Sequence, residues 1–447
     1  MVIKNQLRET AKFIVRQTAG RLPASASRFT GRLALDGGTP VRNVRLRPWR
    51  KLHGNSWDAW RTGAGATLRS VFLSGIEGLP QPLATKFANQ WAVYCGCRFG
   101  LLLPHGTDAL RIGLAAALDH DGLDYGGEII MPNLSFIASV NAALDRRFGV
   151  VFVDVDPGTL LIDPKRVEEA IVPGKTRAIM PVHLFGQPAD MTALREIAQR
   201  YDLKIIEDAA QAHGAAWETG PAGSLGDVAG FSFQSFKNLH CGEGGALTTN
   251  DELLFERAYA LHNVGRARIN GERWGHHSLG WNCRPTEYQA ALLLHRFKLL
   301  EQEQERRRRN FYRLRELLQE LRCVEPQAIH PGVRKHGVHM FVMRYKPEFC
   351  GGISVEAFLQ ACGAEGAPIY RGYPTTMSEQ PALQKLMVKR PDYFRRMPTP
   401  VSDRATKELI YISQQIFLGS ETDMKEIAAA VKKVETNYSG TGGANVL

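Results

Sequence analysis

From about residue 85 to 250 the chain alternates short β-rich apolar runs with amphipathic stretches, and this alternation constrains the fold more than any other feature. The apolar runs cover residues 100–104, 128–132, 149–155, 178–182, 204–208 and 228–233. Helical patterns at 108–117, 167–171 and 191–201 lie between them. Continuous apolar strands are buried on both faces, and strands that alternate with helices pair in parallel. The spacing therefore predicts an α/β fold built on a mostly parallel sheet covered on both sides. Ligands of such sheets sit beyond the carboxyl ends of the strands. His105-Gly-Thr107, Asn133-Leu-Ser-Phe136 and Asp208 all fall at such ends.

A chain of 447 residues exceeds one ordinary core. The expected organisation is a basic extension (1–34), a large domain (35–300), a smaller C-terminal α/β domain (301–438) and a flexible tail (439–447). Residues 286–322 read as one long helix. Its arginine run at 306–309 alternates with Glu and Leu at helical spacing, which favours a solvated connecting helix over a nucleic-acid contact.

Composition narrows the class. Hydrophobic content of 44% and charge of 23% suit a soluble protein. No apolar run reaches the roughly 18 residues of a membrane span, and residues 1–30 contain no signal-peptide core. Seven scattered cysteines point to reduced thiols and a cytoplasmic setting. The net charge of +11 is concentrated in residues 1–32, where seven basic residues face Glu9 alone. That segment reads as a partly disordered basic extension. One alternative is a surface helix, with Leu7, Ala11, Ile14 and Val15 near helical spacing, that contacts anionic lipid or an acidic partner; a transit peptide is a remote third. Nothing resembles a nucleic-acid-reading domain.

The chemistry centres on Lys237, in a turn between the apolar run from Gly230 and the glycine-rich Cys241-Gly-Glu-Gly-Gly245. A lysine so placed is a candidate Schiff-base nucleophile, provided burial lowers its pKa. Asp208 ends a buried-looking strand and is a candidate partner for a protonated pyridine nitrogen, or else a cap on the next helix. A lysine imine and a ring acid are the recurring parts of a pyridoxal 5'-phosphate (PLP) site. Gly106-Thr107 opens a helix, where backbone N–H groups bind phosphate, and Ser232 adds a hydroxyl. Taken alone, Gly-Thr also reads as an ordinary helix start. Phe136 is the candidate flat neighbour of the cofactor ring, with plain core as the alternative. In a regular strand Glu207 points to the face opposite Asp208.

These residues occur within a longer series: Leu33-Ala-Leu-Asp-Gly-Gly-Thr-Pro40, His105-Gly-Thr-Asp-Ala-Leu110, Pro132–Ala143, Pro181–Met191, Glu207-Asp-Ala-Ala-Gln-Ala-His-Gly214, Phe231–Gly245 and Gly280–Ala291. In this order the chain resembles, from about residue 35 to 432, the sugar aminotransferases of the DegT/DnrJ/EryC1/StrS family. These are fold-type I PLP enzymes with the aspartate aminotransferase-like fold. The resemblance implies that Lys237 carries the cofactor as an imine, that Asp208 pairs with the ring nitrogen and that Gln211 lies near the ring's phenolic oxygen. It further implies that Phe136 stacks on the ring and that Gly106, Thr107 and Ser232 hold the phosphate. Asn282 matches an asparagine that reaches the phosphate from the other subunit of a homodimer. His183 matches a position near the site without an assigned role. The chain departs from the usual pattern at His105, where Ser or Asn is common, and at Ser235-Phe236, where Pro-Thr is frequent.

Dehydratase members carry histidine at the lysine position, so Lys237 implies transamination. The expected reaction moves an amino group from glutamate or glutamine to a keto-sugar or keto-cyclitol, ping-pong through pyridoxamine phosphate. It would serve amino-sugar, aminocyclitol or surface-polysaccharide synthesis. The head segment resembles the cyclitol and aminohydroxybenzoate-synthase branch. Arg284, Tyr370 and Arg371 are candidates for binding donor carboxylate or sugar hydroxyls. Alternatives are an aminohydroxybenzoate-synthase-like PLP dehydratase and, more remotely, a non-catalytic regulatory scaffold.

Overall fold

The computed structural model describes residues 32–42, 63–118, 126–268 and 275–439. The basic extension up to residue 31, with its proposed lipid or acidic-partner contact, and the tail from residue 440 lie outside the described residues.

Three sheets form among the described residues. The largest contains β1 (Phe99–Leu103), β2 (Glu128–Pro132), β3 (Gly149–Val153), β4 (Thr176–Ile179), β5 (Lys204–Asp208), β8 (Val228–Ser232), β9 (Gly245–Thr249) and β14 (Phe394–Arg396). A three-stranded patch joins β6 (Ala216–Trp217), β7 (Gly220–Pro221) and β11 (Val333–Lys335). The C-terminal sheet pairs β10 (Val324–Pro326), β12 (Met340–Tyr345), β13 (Tyr370–Arg371) and β15 (Leu409–Ser413), all antiparallel.

The large sheet runs in the order β1-β9-β8-β5-β4-β2-β3-β14. β9 alone runs against both its neighbours; the other pairings are parallel. The expected mostly parallel α/β sheet is therefore present. Alternate residues along each strand enter different cores. Ile129 and Met131 pack in one cluster with Leu101 and Leu103 of β1, whereas Ile130 packs with Val151 and Val153 in another. Burial on both faces explains why the strands read as unbroken apolar runs.

Helix starts follow the capping chemistry of the sequence. Asp190 accepts a hydrogen bond from the Ala193 N–H at 3.1 Å, opening helix Met191–Tyr201. Thr286 and Gln289 form a reciprocal capping box that opens the long helix Glu287–Leu317. That helix is less solvated than its charge suggests: Gln304, Arg307, Asn310 and Phe311 are buried.

The packing also crosses the expected domain boundaries. Leu33 and Val41 belong to the C-terminal core. Buried Glu365 accepts from the N–H groups of Ala34 (2.7 Å) and Val41 (2.9 Å) and pairs with Lys433 at 3.0 Å, so the segment from Leu33 to Arg42 is strapped to the C-terminal unit. Conversely, β14 leaves that unit to edge the large sheet beside β3. Both differences arise from long-range pairing of short segments that carry no periodicity of their own. Among the described residues, no helix is long and apolar enough to cross a membrane.

Candidate active site

The parallel strands all end on one edge of the large sheet, where His105, Gly106, Asp208 and Ser232 lie. β1 leads through His105 into helix Gly106–Ala117, one residue pair earlier than the predicted start at 108. His105 is the N-cap but gives no side-chain cap, so the first backbone N–H groups of this helix have no side-chain acceptor from that residue. They form an anion-binding end. Gly106, and Gly245 at the start of β9, are required by close approach. A Cβ on Gly106 would lie 2.7 Å from the Ser232 Cβ, and one on Gly245 would lie 2.2 Å from the His105 carbonyl oxygen. Strands β8 and β9 are thereby drawn against the helix start, with Ser232 beside Gly106. The imidazole of His105 pairs with Asp108 at 2.9 Å, and Asp108 pairs in turn with Arg111 at 2.8 Å.

Asp208 lies at the end of β5, buried, with its backbone N–H bonded to the Pro181 carbonyl at 2.9 Å. Its Oδ2 accepts from the Ser139 hydroxyl at 2.6 Å and its Oδ1 from the Ala210 N–H at 3.2 Å. Burial raises its pKa above the ordinary carboxylate value, while Ser139, Ala210, the Lys237 charge and His183 oppose that rise. Lys237 stands in the turn after β8, its N–H bonded to the Gln234 carbonyl at 2.8 Å. Burial pushes its amine down to about 8, with Asp208 acting in the opposite sense. The carboxylate and the amine thus act on one another's titration.

Glu207 faces away from Asp208, as strand alternation requires. It is fully buried and accepts from the N–H groups of Gly223 (2.9 Å), Leu225 (2.7 Å) and Gly226 (2.7 Å), and from His183 Nε2 at 2.9 Å. His183 Nδ1 accepts from the Ala189 N–H at 3.1 Å, so its proton sits on Nε2. His183 is therefore a brace behind the strand that carries Asp208, and its N–H bonds the Asp208 carbonyl at 3.0 Å.

Gln211 is buried beside Asp208; its Oε1 accepts from the Phe185 N–H at 2.8 Å and its Nε2 donates to the Tyr373 hydroxyl at 3.2 Å. Tyr373 comes from the loop after β13, in the C-terminal unit, and was not recognisable in the sequence. Burial raises its phenol to about 12, and the Asp208 charge adds to that. The loop is tied down by Asn133, at the end of β2, whose amide donates to the hydroxyls of Ser378 and Thr399, each at 3.0 Å. Ser139 also escaped the sequence reading, although it lies within the Pro132–Ala143 motif. Phe136, three residues after Asn133, is 59% exposed despite its size. Asn282 is exposed beside Asn263, following Trp281, whose ring is flanked by the guanidinium groups of Arg111 and Arg146 at 4.8 and 4.4 Å.

The other sequence candidates do not gather here. Arg371 is committed to the carbonyls of Thr406 (2.9 Å) and Lys407 (2.8 Å). Tyr370 packs on Tyr411, and Arg284 bonds Asn263 at 3.1 Å.

The donor set fits PLP: an anion-binding helix end with a serine beside it, a buried carboxylate with free lone pairs, and an amine of lowered basicity. Among known proteins, the profile of the DegT/DnrJ/EryC1/StrS aminotransferase family matches residues 67–432. An L-glutamine:2-deoxy-scyllo-inosose aminotransferase of Streptoalloteichus tenebrarius is 35% identical over 90% of this chain and 97% of its own. An L-glutamine:scyllo-inosose aminotransferase of Streptomyces griseus is 34% identical over 87% of this chain and 96% of its own. The crystal structure of 3-amino-5-hydroxybenzoic acid synthase superposes with a TM-score of 0.74 at 27% identity, covering 85% of this chain and 97% of that one. With a matched fold, a matched profile and relatives aligned over nearly their full length, this chain belongs to the DegT/DnrJ/EryC1/StrS family of PLP-dependent aminotransferases.

Proposed function

We propose that this protein transfers the amino group of glutamine to a keto-cyclitol of the scyllo-inosose type, working in the cytoplasm as a homodimer. The observation that carries the transaminase reading is Lys237, a lysine of lowered basicity in the turn after β8, within electrostatic reach of the buried Asp208. The glutamine donor and cyclitol acceptor are supported by the relatives at 34–35% identity.

The residues divide the work. Gly106, Thr107 and Ser232 would hold the phosphate at the helix N-terminus, and Phe136 would offer its exposed face to the ring. Asp208, whose charged form the Ser139 hydroxyl favours, would hold the proton on the ring nitrogen. Gln211, oriented by Phe185 and Tyr373, would bind the ring's phenolic oxygen. Bound there, PLP supplies an electron sink that stores the amino group between donor and acceptor. The Lys237 amine, part neutral near pH 8, is suited to take a proton from the donor carbon and return one to the acceptor carbon. The homodimer is supported by exposed Asn282 and by the apolar residues Phe72 and Leu73 on helix Ala64–Ser74, each 68% exposed.

The test uses purified protein saturated with PLP. The expected result is cofactor-dependent visible absorbance that disappears in Lys237→Ala, bleaching by glutamine and recovery with 2-deoxy-scyllo-inosose or scyllo-inosose. Recovery only with nucleotide-linked keto-sugars would overturn the acceptor. Absence of PLP binding would overturn the whole reading. The likeness to 3-amino-5-hydroxybenzoic acid synthase supports dehydration and aromatisation as a second reading. Release of water and an aromatic product, rather than amination, would select it.

A further inference from the structure

The residue after Lys237 ties the lysine turn to two other parts of the molecule. Asn238 is buried, and its amide donates to Gln304 Oε1 (3.0 Å) and to the carbonyls of Gly337 (2.8 Å) and Val338 (3.0 Å). Its Oδ1 meets His339 Nδ1 at 3.2 Å. Gln304, on the long connecting helix, is fully buried and saturated. Its amide donates to the carbonyls of Gly337 (2.8 Å) and His213, and its Oε1 also accepts from Arg307 Nη1 at 3.0 Å. Arg307, likewise buried, continues to Gln414 Oε1 at 2.8 Å and to Glu303 at 3.1 Å. Links made in a buried polar network specify one geometry, because each broken link strands a polar group out of water. Here that geometry belongs to the turn carrying Lys237.

We propose that Gln304 is a positioning residue for Lys237, acting through Asn238 to hold the lysine turn against the connecting helix and the segment entering β12. The inference rests on the reading of Lys237 as the cofactor lysine. Held in this way, the amine stays out of water beside Asp208; freed, the turn lets the ammonium hydrate. The charges around it come from several elements. Asp208 faces it from β5. His213, on the loop after β5, and His339, entering β12, are both kept neutral, first by burial and then by the Lys237 charge. Arg307, from the connecting helix, and His240, just beyond the turn, also act on His213. Both histidines are thus uncharged where Lys237 titrates, so the burial that the turn imposes on the amine and the opposing Asp208 charge set its midpoint.

The experiment takes the full-length protein freed of cofactor, adds PLP at a series of pH values, reduces with borohydride and counts the adduct on Lys237 by mass spectrometry. In Gln304→Met the midpoint for capture should rise by about one pH unit, so capture below it falls about tenfold. Asn238→Ser should shift it equally, and the double variant should shift it no further. Asn310→Leu is the control. Asn310 lies on the same helix, is buried and bonds Phe417 and Gly419 carbonyls at 2.8 and 3.0 Å, but does not touch Asn238. An unmoved midpoint in Gln304→Met, or an equal shift in Asn310→Leu, would overturn the proposal. Should Gln304→Met fail to fold, Gln304→Asn, one methylene shorter, carries the same comparison. Failure of the wild-type protein to capture PLP sinks the reading of the site instead, so the two failures are distinct.

Discussion

Ser139 donates to Asp208 Oδ2 at 2.6 Å with both groups buried, so Ser139→Ala removes a hydrogen bond made to the charged carboxylate. Such a bond contributes roughly 1.5–3 kcal/mol. One pKa unit corresponds to about 1.4 kcal/mol, so the Asp208 carboxyl should rise by roughly one to two units. Its folded value already lies above the ordinary one because of burial. A carboxyl raised in this way binds a proton in the folded state that the unfolded chain has released. Stability therefore falls as pH climbs from the unfolded to the folded value. Ser139→Ala extends that window upward. The cofactor-free variant should lose roughly 1.5–3 kcal/mol at pH values above its own folded Asp208 midpoint, and the loss should shrink as pH falls below the wild-type folded value. Thermal melting across pH would show this as a few degrees, roughly, above that midpoint. The acid limb of the transamination rate should move up by about the same one to two units. A melting difference that is constant with pH would refute the reasoning, since it would mean the hydroxyl contributes packing and not charge stabilisation.

Other perturbations test separate links. Glu207→Gln keeps one acceptor oxygen, so its amide N–H groups must face either Gly223 and His183, which bond Oε2, or Leu225 and Gly226, which bond Oε1; it should cost about 3–5 kcal/mol in thermal or denaturant unfolding. Gly245→Ala drives a Cβ to 2.2 Å from the His105 carbonyl oxygen. Because backbone must then move beside the phosphate cradle, kcat should fall by roughly 100-fold, measured with glutamine and the preferred ketone. Tyr373→Phe removes the hydroxyl at 3.2 Å from Gln211; kcat/KM should fall about fivefold for about 1 kcal/mol, with the fold unchanged by circular dichroism.

Much of the sheet was readable because buried parallel strands are apolar on both faces. β2 and β5 occupy the segments expected from their apolar runs, and helix Met191–Tyr201 begins where Asp190 signals a cap. β9 was hidden because a glycine-led strand of Ala, Leu and two Thr has no strong period, and its antiparallel place between β1 and β8 depends on distant partners. Gly106, Thr107, Asp208, Ser232 and Lys237 stood out from the residues themselves, and Gln211 through the family resemblance. Ser139 and Tyr373 were not, since a lone hydroxyl acquires meaning only from the group it faces. Arg371 and Arg284 looked equally suited to a substrate and proved to be engaged with backbone and with Asn263.

By itself, the sequence determined the α/β class through its hydrophobic period, and the family and the chemical types at the site through the resemblance of its motifs, because both are local properties of the chain. Tertiary structure alone decided which polar groups meet. It placed Ser139 on Asp208, His183 behind Glu207, Tyr373 of the C-terminal unit on Gln211, and Gln304 under the lysine turn. Those contacts join segments far apart in the chain, and in a buried site the partner, more than the residue type, sets the charge a group carries.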